Sequence, residues 1–106
     1  MNVAWGTFTQ PDGKSHPQIE ISEQSDWSLF ERVADFLRAA LQGKWIEQLD
    51  GLDQRYWDLT AEGGSLTLHL EHYLGITLYA TAGAEADERS LALLRRAFEL
   101  LATASP

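Results

Sequence analysis

Residues 65 to 71, Ser65-Leu66-Thr67-Leu68-His69-Leu70-Glu71, decide the fold. Leucine takes every second position and a polar side chain each position between, the period of a strand with one buried and one wet face. A helix would turn Leu68 away from Leu66 and Leu70, so no helical stripe explains the spacing. The pattern returns where Ile76, Leu78 and Ala80 alternate with Thr77, Tyr79 and Thr81. Upstream, Glu62-Gly63-Gly64 is a tight turn joining 65–71 to a strand from Tyr56 to Thr60, because glycine reaches positive φ without steric penalty. Asp50-Gly51-Leu52-Asp53 is a second turn, after a strand from Trp45 to Leu49. Residues 45–81 therefore read as an antiparallel β-meander of about four strands.

Both flanks of the meander are helical. In 25–43, Ser25 and Asp26 offer N-caps, and Leu29, Phe30, Val33, Phe36, Leu37, Ala40 and Leu41 recur at spacings of three and four, with Gly43 placed to end the helix. In 85–102, Glu85, Asp87 and Glu88 fall in the first turn, where negative charge complements the helix dipole. Leu91, Leu94, Phe98 and Leu101 form its stripe, widened by Leu93, Ala97 and Leu100. Residues 1–22 read as a hairpin, Val3 to Thr9 and Gln18 to Ser22, joined through Gln10-Pro11-Asp12-Gly13-Lys14-Ser15-His16-Pro17. The expected fold is a single α+β domain over 1–106, the meander backed by two amphipathic helices on its Leu66/Leu68/Leu70 face, with an N-terminal β-hairpin. The opposite face is then either wet or covered by that hairpin.

Composition narrows the function classes. The chain of 106 residues has 8 Lys+Arg, 16 Asp+Glu, no Cys and a formal charge of -8. Without Cys there is no disulfide framework, Cys-ligated zinc or thiol nucleophile. The acid excess argues against nucleic acid, whose binding draws on Lys and Arg replacing counterions, and against anionic membrane surfaces. Met1 to Gln10 lack the basic and apolar runs of a secretory signal, and Leu74 to Ala84 is too short and too interrupted to span a membrane, so a cytoplasmic location is expected. Residues 45–88 hold nine acidic side chains against one basic, and so carry the whole net charge. Alternation places Tyr56, Asp58, Thr67, His69, Glu71, Thr77 and Tyr79 on the face away from the helices, with Asp50 and Asp53 in a flanking turn. Carboxylates interleaved with rings suit a basic protein partner, the rings supplying desolvated area and the carboxylates steering and pairing. The plain alternative is a solvated sheet face.

Catalytic patterns are absent. No GxSxG elbow, GxGxxG or phosphate-binding loop occurs, and the serines sit where caps and surfaces use them. His69-Leu70-Glu71-His72 is the one run of metal-ligand types, but on a strand His69 and Glu71 share a face that His72 leaves, and no third ligand is adjacent. No cofactor is expected. The stretch Asp50-Gly-Leu-Asp-Gln-Arg-Tyr-Trp-Asp-Leu with Leu68-His-Leu-Glu-His-Tyr-Leu-Gly-Ile resembles the central segment of small uncharacterised bacterial proteins. In build, short, acidic, Cys-free and α+β, the chain is similar to immunity proteins that neutralise bacterial toxins. That resemblance carries no motif and assigns no residue. The expectation is a non-catalytic, acidic protein-binding module, an immunity-like or antitoxin-like inhibitor of a basic partner, with Tyr56, Asp58, His69, Glu71, Tyr79, Asp50 and Asp53 as its candidate face. The alternatives are a metal-dependent hydrolase centred on His69, Glu71 and His72, and a self-associating subunit, such as a homodimer.

Overall fold

The meander pairs as its turns dictate. In a computed structural model describing residues 1–106, β3 (Lys44–Asp50), β4 (Gln54–Ala61), β5 (Gly64–Glu71) and β6 (Gly75–Ala80) run antiparallel in succession. Glu62 and Gly63, both at positive φ, make the two-residue turn whose twist matches the flanking strands.

The sheet is larger than four strands. β1 (Ala4–Thr9) and β2 (Ser15–Ser22) form the expected hairpin, but β2 pairs with the free edge of β6, giving six strands in the order β1-β2-β6-β5-β4-β3. The hairpin therefore extends the sheet instead of lying across its outer face. β2 starts at Ser15, inside the segment read as a linker, and contains Pro17. Pro17 has no N–H for a ladder, and it lies beyond Ile19–Ser22, the part of β2 in register with β6.

Two helices cover one face. α1 (Trp27–Ala40) is shorter than the 25–43 expected, because Asp26 stands outside as its cap, Oδ1 accepting from the Leu29 N–H at 3.0 Å. At the other end Gln42, not Gly43, takes positive φ, while Gly43 and Gln42 donate back to the Arg38 and Ala39 carbonyls. Gly43 lacks a side chain for another reason: a Cβ there would sit 2.8 Å from Cδ1 of Leu59. α2 (Glu88–Ala102) starts three residues later than expected, since Glu85 belongs to a 3₁₀ turn at Gly83–Glu85 and Asp87 is the cap.

Phe30, Val33 and Leu37 of α1 and Leu93, Leu94, Ala97 and Leu101 of α2 bury against Leu59, Leu66, Leu68, Leu70, Ile76 and Leu78. Burying each large aliphatic side chain is worth roughly 1.5–3 kcal/mol, so this single layer is the main source of stability. All four tryptophans lie toward the helices. Trp5 stacks on Phe98 with ring centres 4.7 Å apart, and Trp45 meets Trp57 edge-on. Trp27 is 37% exposed at the start of α1, where it lies against Arg55. No helix is long and apolar enough to cross a membrane.

Candidate functional site

With both helices on one side, the other side of the sheet is uncovered, and strand register decides which side chains meet there. One cross-strand row runs Ala4, Glu20, Thr77, His69, Tyr56, Leu49. Thr67 stands opposite both Asp58 and Tyr79 in the neighbouring row. Five of the seven candidate residues, Tyr56, Asp58, His69, Glu71 and Tyr79, are thus brought onto one surface.

Rings form a continuous band across it. Tyr56 stacks on His69 at 4.2 Å with planes 14° apart, and Tyr79 meets His69 edge-on at 6.3 Å and His16 at 5.3 Å. Phe8 of β1 closes the band against His16 at 5.4 Å. Burial, reinforced by Tyr56 and Asp58 nearby, pushes the Tyr79 phenol up to about 12, so it stays a protonated donor. Burial likewise raises Tyr56, with Glu71 adding to the shift. Asp58 accepts from the Thr67 hydroxyl at 2.6 Å, which fixes its carboxylate on this face.

His69 is the least satisfied group here. Its Nε2 is buried without a hydrogen-bond partner, 3.9 Å from Oε2 of Glu71. Burial holds its pKa below the ordinary histidine value, outweighing the Glu71 carboxylate, which acts the other way. A depressed folded-state pKa means that the unfolded chain takes up a proton first as the pH falls. Stability should therefore decline from about pH 6.5 downward through the folded pKa. His69→Gln removes that share of the decline. Urea midpoints for both proteins between pH 7.5 and 5 check it, and parallel curves would show that His69 does not titrate across unfolding.

Other candidates lie elsewhere. Asp50 is part of β3, not of a turn, and faces the helices. It accepts from Nε and Nη2 of Arg55 at 2.9 and 3.3 Å and from the Trp57 indole at 2.8 Å. The hydrogen bonds from Arg55, and then Trp57, hold its pKa below the carboxylate norm. Its carboxylate is thus engaged on the side away from the Tyr56 face. Asp53 sits in the β3–β4 turn, at the rim of the sheet, where its carbonyl accepts from the His72 N–H at 3.1 Å. His72 lies in the β5–β6 turn with its ring against Tyr73, away from the His69/Glu71 pair, and no three His, Asp or Glu side chains converge as a metal set.

Three contributors escaped the sequence reading. His16, Phe8 and Glu20 reach this surface only because β2 docks on β6. The alternation of Gln18 and Glu20 with Ile19 and Ile21 was the available signal for Glu20. Between the hairpin and the Tyr56/His69 stack lies a groove of about 810 Å³, lined by Glu20, Glu23 and Glu71 among aromatic and small side chains, with no Lys or Arg. Around it the apolar surface is unusually open: Leu49, Leu74 and Tyr73 are 56%, 58% and 85% exposed, and Leu52 wholly so.

Neither a curated protein nor a solved structure matches the chain. A family does match, from residue 10 in the β1–β2 turn to residue 98 in α2, and so spans every strand of this face except β1. Kinship with small uncharacterised proteins, suggested by the central segment, is in this sense established: the chain belongs to the DUF3630 family, described as proteins of unknown function.

Proposed function

We propose that this protein is a non-catalytic binding module whose uncovered sheet face takes a basic protein partner. The observation that carries it is the ring band Tyr56–His69–Tyr79–His16 flanked by Asp58, Glu71 and Glu20, on a face bordered by exposed Leu49, Leu52 and Leu74. Interface cores are rich in aromatic rings, and fixed carboxylates steer a cationic surface into register. The most concrete version is an immunity-like inhibitor that occludes a basic toxin by this face, in keeping with the small, acidic, Cys-free build.

The test is affinity capture from the source cell at low salt, followed by association kinetics with the captured protein. Asp58→Lys and Glu71→Lys should each slow association about tenfold, and raising the salt should slow the wild type similarly while dissociation changes less. Association indifferent to both reversals and to salt would remove the proposal.

A further inference from the structure

Within the uncovered face one strand is stripped of bulk. The outward positions of β6 are Gly75, Thr77 and Tyr79; the backbone of Ser22 and Glu23 packs on Gly75, so the trough between the side chains of β2 and β5 lies over Thr77, closed at one end by the Tyr79 ring and at the other by that backbone. Thr77 is its floor, with Glu20 opposite on β2 and His69 opposite on β5. Glu71 flanks Gly75 on the β5 side. The Glu20 carboxylate folds over Gly6 of β1, a position whose missing side chain makes the room. The His69 ring and the Glu71 carboxylate on one side and the Glu20 stem on the other therefore surround a small residue, Thr77.

None of those carboxylates has a cationic partner in the chain. Six of the eight basic residues stand in α1, in α2 or over the helix-facing side as Arg55; Lys14 pairs with Glu85 at 2.7 Å, and Lys44 opens the far edge strand β3, outside the groove lining. His69 and His16 also line the groove; burial lowers the His69 pKa, disfavouring its charged form, and His69 offers the trough a ring.

We infer that the trough over Thr77 receives an arginine side chain of the partner, its guanidinium lying over Thr77 against the Tyr79 and His69 rings and pairing with Glu71, with the Glu20 stem as the opposite wall. This rests on the reading of the face as a basic-partner surface and names the group that the face reads. Arginine fits better than lysine because a planar guanidinium both stacks on rings and offers paired donors to carboxylates, whereas an ammonium is a strongly hydrated point charge. The groove volume of about 810 Å³ leaves room for residues beside that arginine, so a loop or an extended segment, and not a bare ion, is its occupant.

Amide-detected NMR titration of the whole chain tests this with N-acetyl-arginine methylamide, its lysine analogue, and the citrulline analogue, which is neutral but of the same shape. The arginine probe should bind saturably with Kd on the order of millimolar, shifting the amides of Glu71, Thr77 and Tyr79 above all. The lysine probe should bind about threefold more weakly and citrulline without saturation. Glu71→Gln should weaken the arginine probe about threefold or more, while Glu99→Gln, the same charge change on exposed α2, leaves it unaltered. Shifts spread evenly over acidic surface, equal binding of citrulline or lysine, or loss with Glu99→Gln equal to that with Glu71→Gln would each overturn the inference. Failure of the arginine probe, with a captured partner still sensitive to Glu71→Lys, overturns the trough alone and leaves the broader proposal standing. Failure of both overturns both.

Discussion

Arg55→Ala should lower the unfolding free energy by about 3 kcal/mol, a loss typical of an emptied core position more than of a lost surface ion pair. Arg55 occupies the helix-facing parity of β4, in line with Trp57, Leu59 and Ala61, and is only 5% exposed. Its guanidinium lies 4.5, 4.9 and 4.5 Å from the ring centres of Trp27, Phe30 and Trp57. Its donors reach Asp50 at 2.9 Å and Glu31 at 3.2 Å. The arginine thus joins the start of α1 to β3 and β4 at the otherwise open edge of the sheet. Truncation removes the stem's packing, worth about 0.8 kcal/mol per buried methylene, and a partly desolvated cation–π contact worth about 1–2 kcal/mol. Both partner carboxylates are partly exposed and can return to water, which limits the further cost. Arg55→Met keeps the stem and should lose about half as much.

The acid limb of stability gives a second signature of the same group. Asp50 has its pKa lowered in the folded protein, so its contribution is present above the unfolded value near 3.8 and is lost as the pH falls through the folded value. Arg55→Met should flatten that limb below about pH 4. Urea midpoints at pH 7 and across pH 2.5–4.5 measure both effects, and a change of less than about 1 kcal/mol for Arg55→Ala would show that the aromatic box adds nothing beyond the surrounding core.

Gly75→Ala should be at least as damaging, at about 3 kcal/mol or more, through contact between backbones. Gly75 has φ +82°, and a Cβ there would fall inside the radius of the Ser22 carbonyl oxygen and 2.7 Å from the Glu23 carbonyl carbon. Neither neighbour is the flexible end of a side chain, so β2 must move off β6. Gly13 provides the control: its φ is +87°, yet nothing lies within 4 Å of its would-be Cβ. Gly13→Ala should therefore cost only the left-handed backbone penalty, about 1 kcal/mol. Thermal denaturation of both variants separates strain from collision. Hydrogen exchange should show faster opening of the β2 amides in Gly75→Ala, and equal losses for the two glycines would show that β2 is not wedged against Gly75.

Much of the candidate face was legible because parity is local. Tyr56, Asp58, His69, Glu71 and Tyr79 share a surface once each strand alternates and the Glu62-Gly63 turn sets the β4–β5 register. The same parity placed Arg55 beside Trp57 and Leu59 on the buried side, a signal that the hydrophobic pattern hides because arginine counts as polar. Asp50 was assigned to a turn because its neighbours Gly51 and Asp53 are turn formers. In the fold β3 runs on through it, and a bulge between Trp45 and Glu47 resets the strand's parity.

Strands, helices and their buried faces thus follow from side-chain periodicity and capping, which act over a few residues. The union of hairpin and meander does not. Backbone N–H and C=O groups are alike at nearly every position, so the ladder between β2 and β6 leaves no mark in the residue pattern of either strand. Burial chose it, because only with β2 beside β6 do Ile19 and Ile21 join the core under the two helices. The same pairing carries Glu20, His16 and Phe8 round to the outer face and gives the β6 trough its second wall.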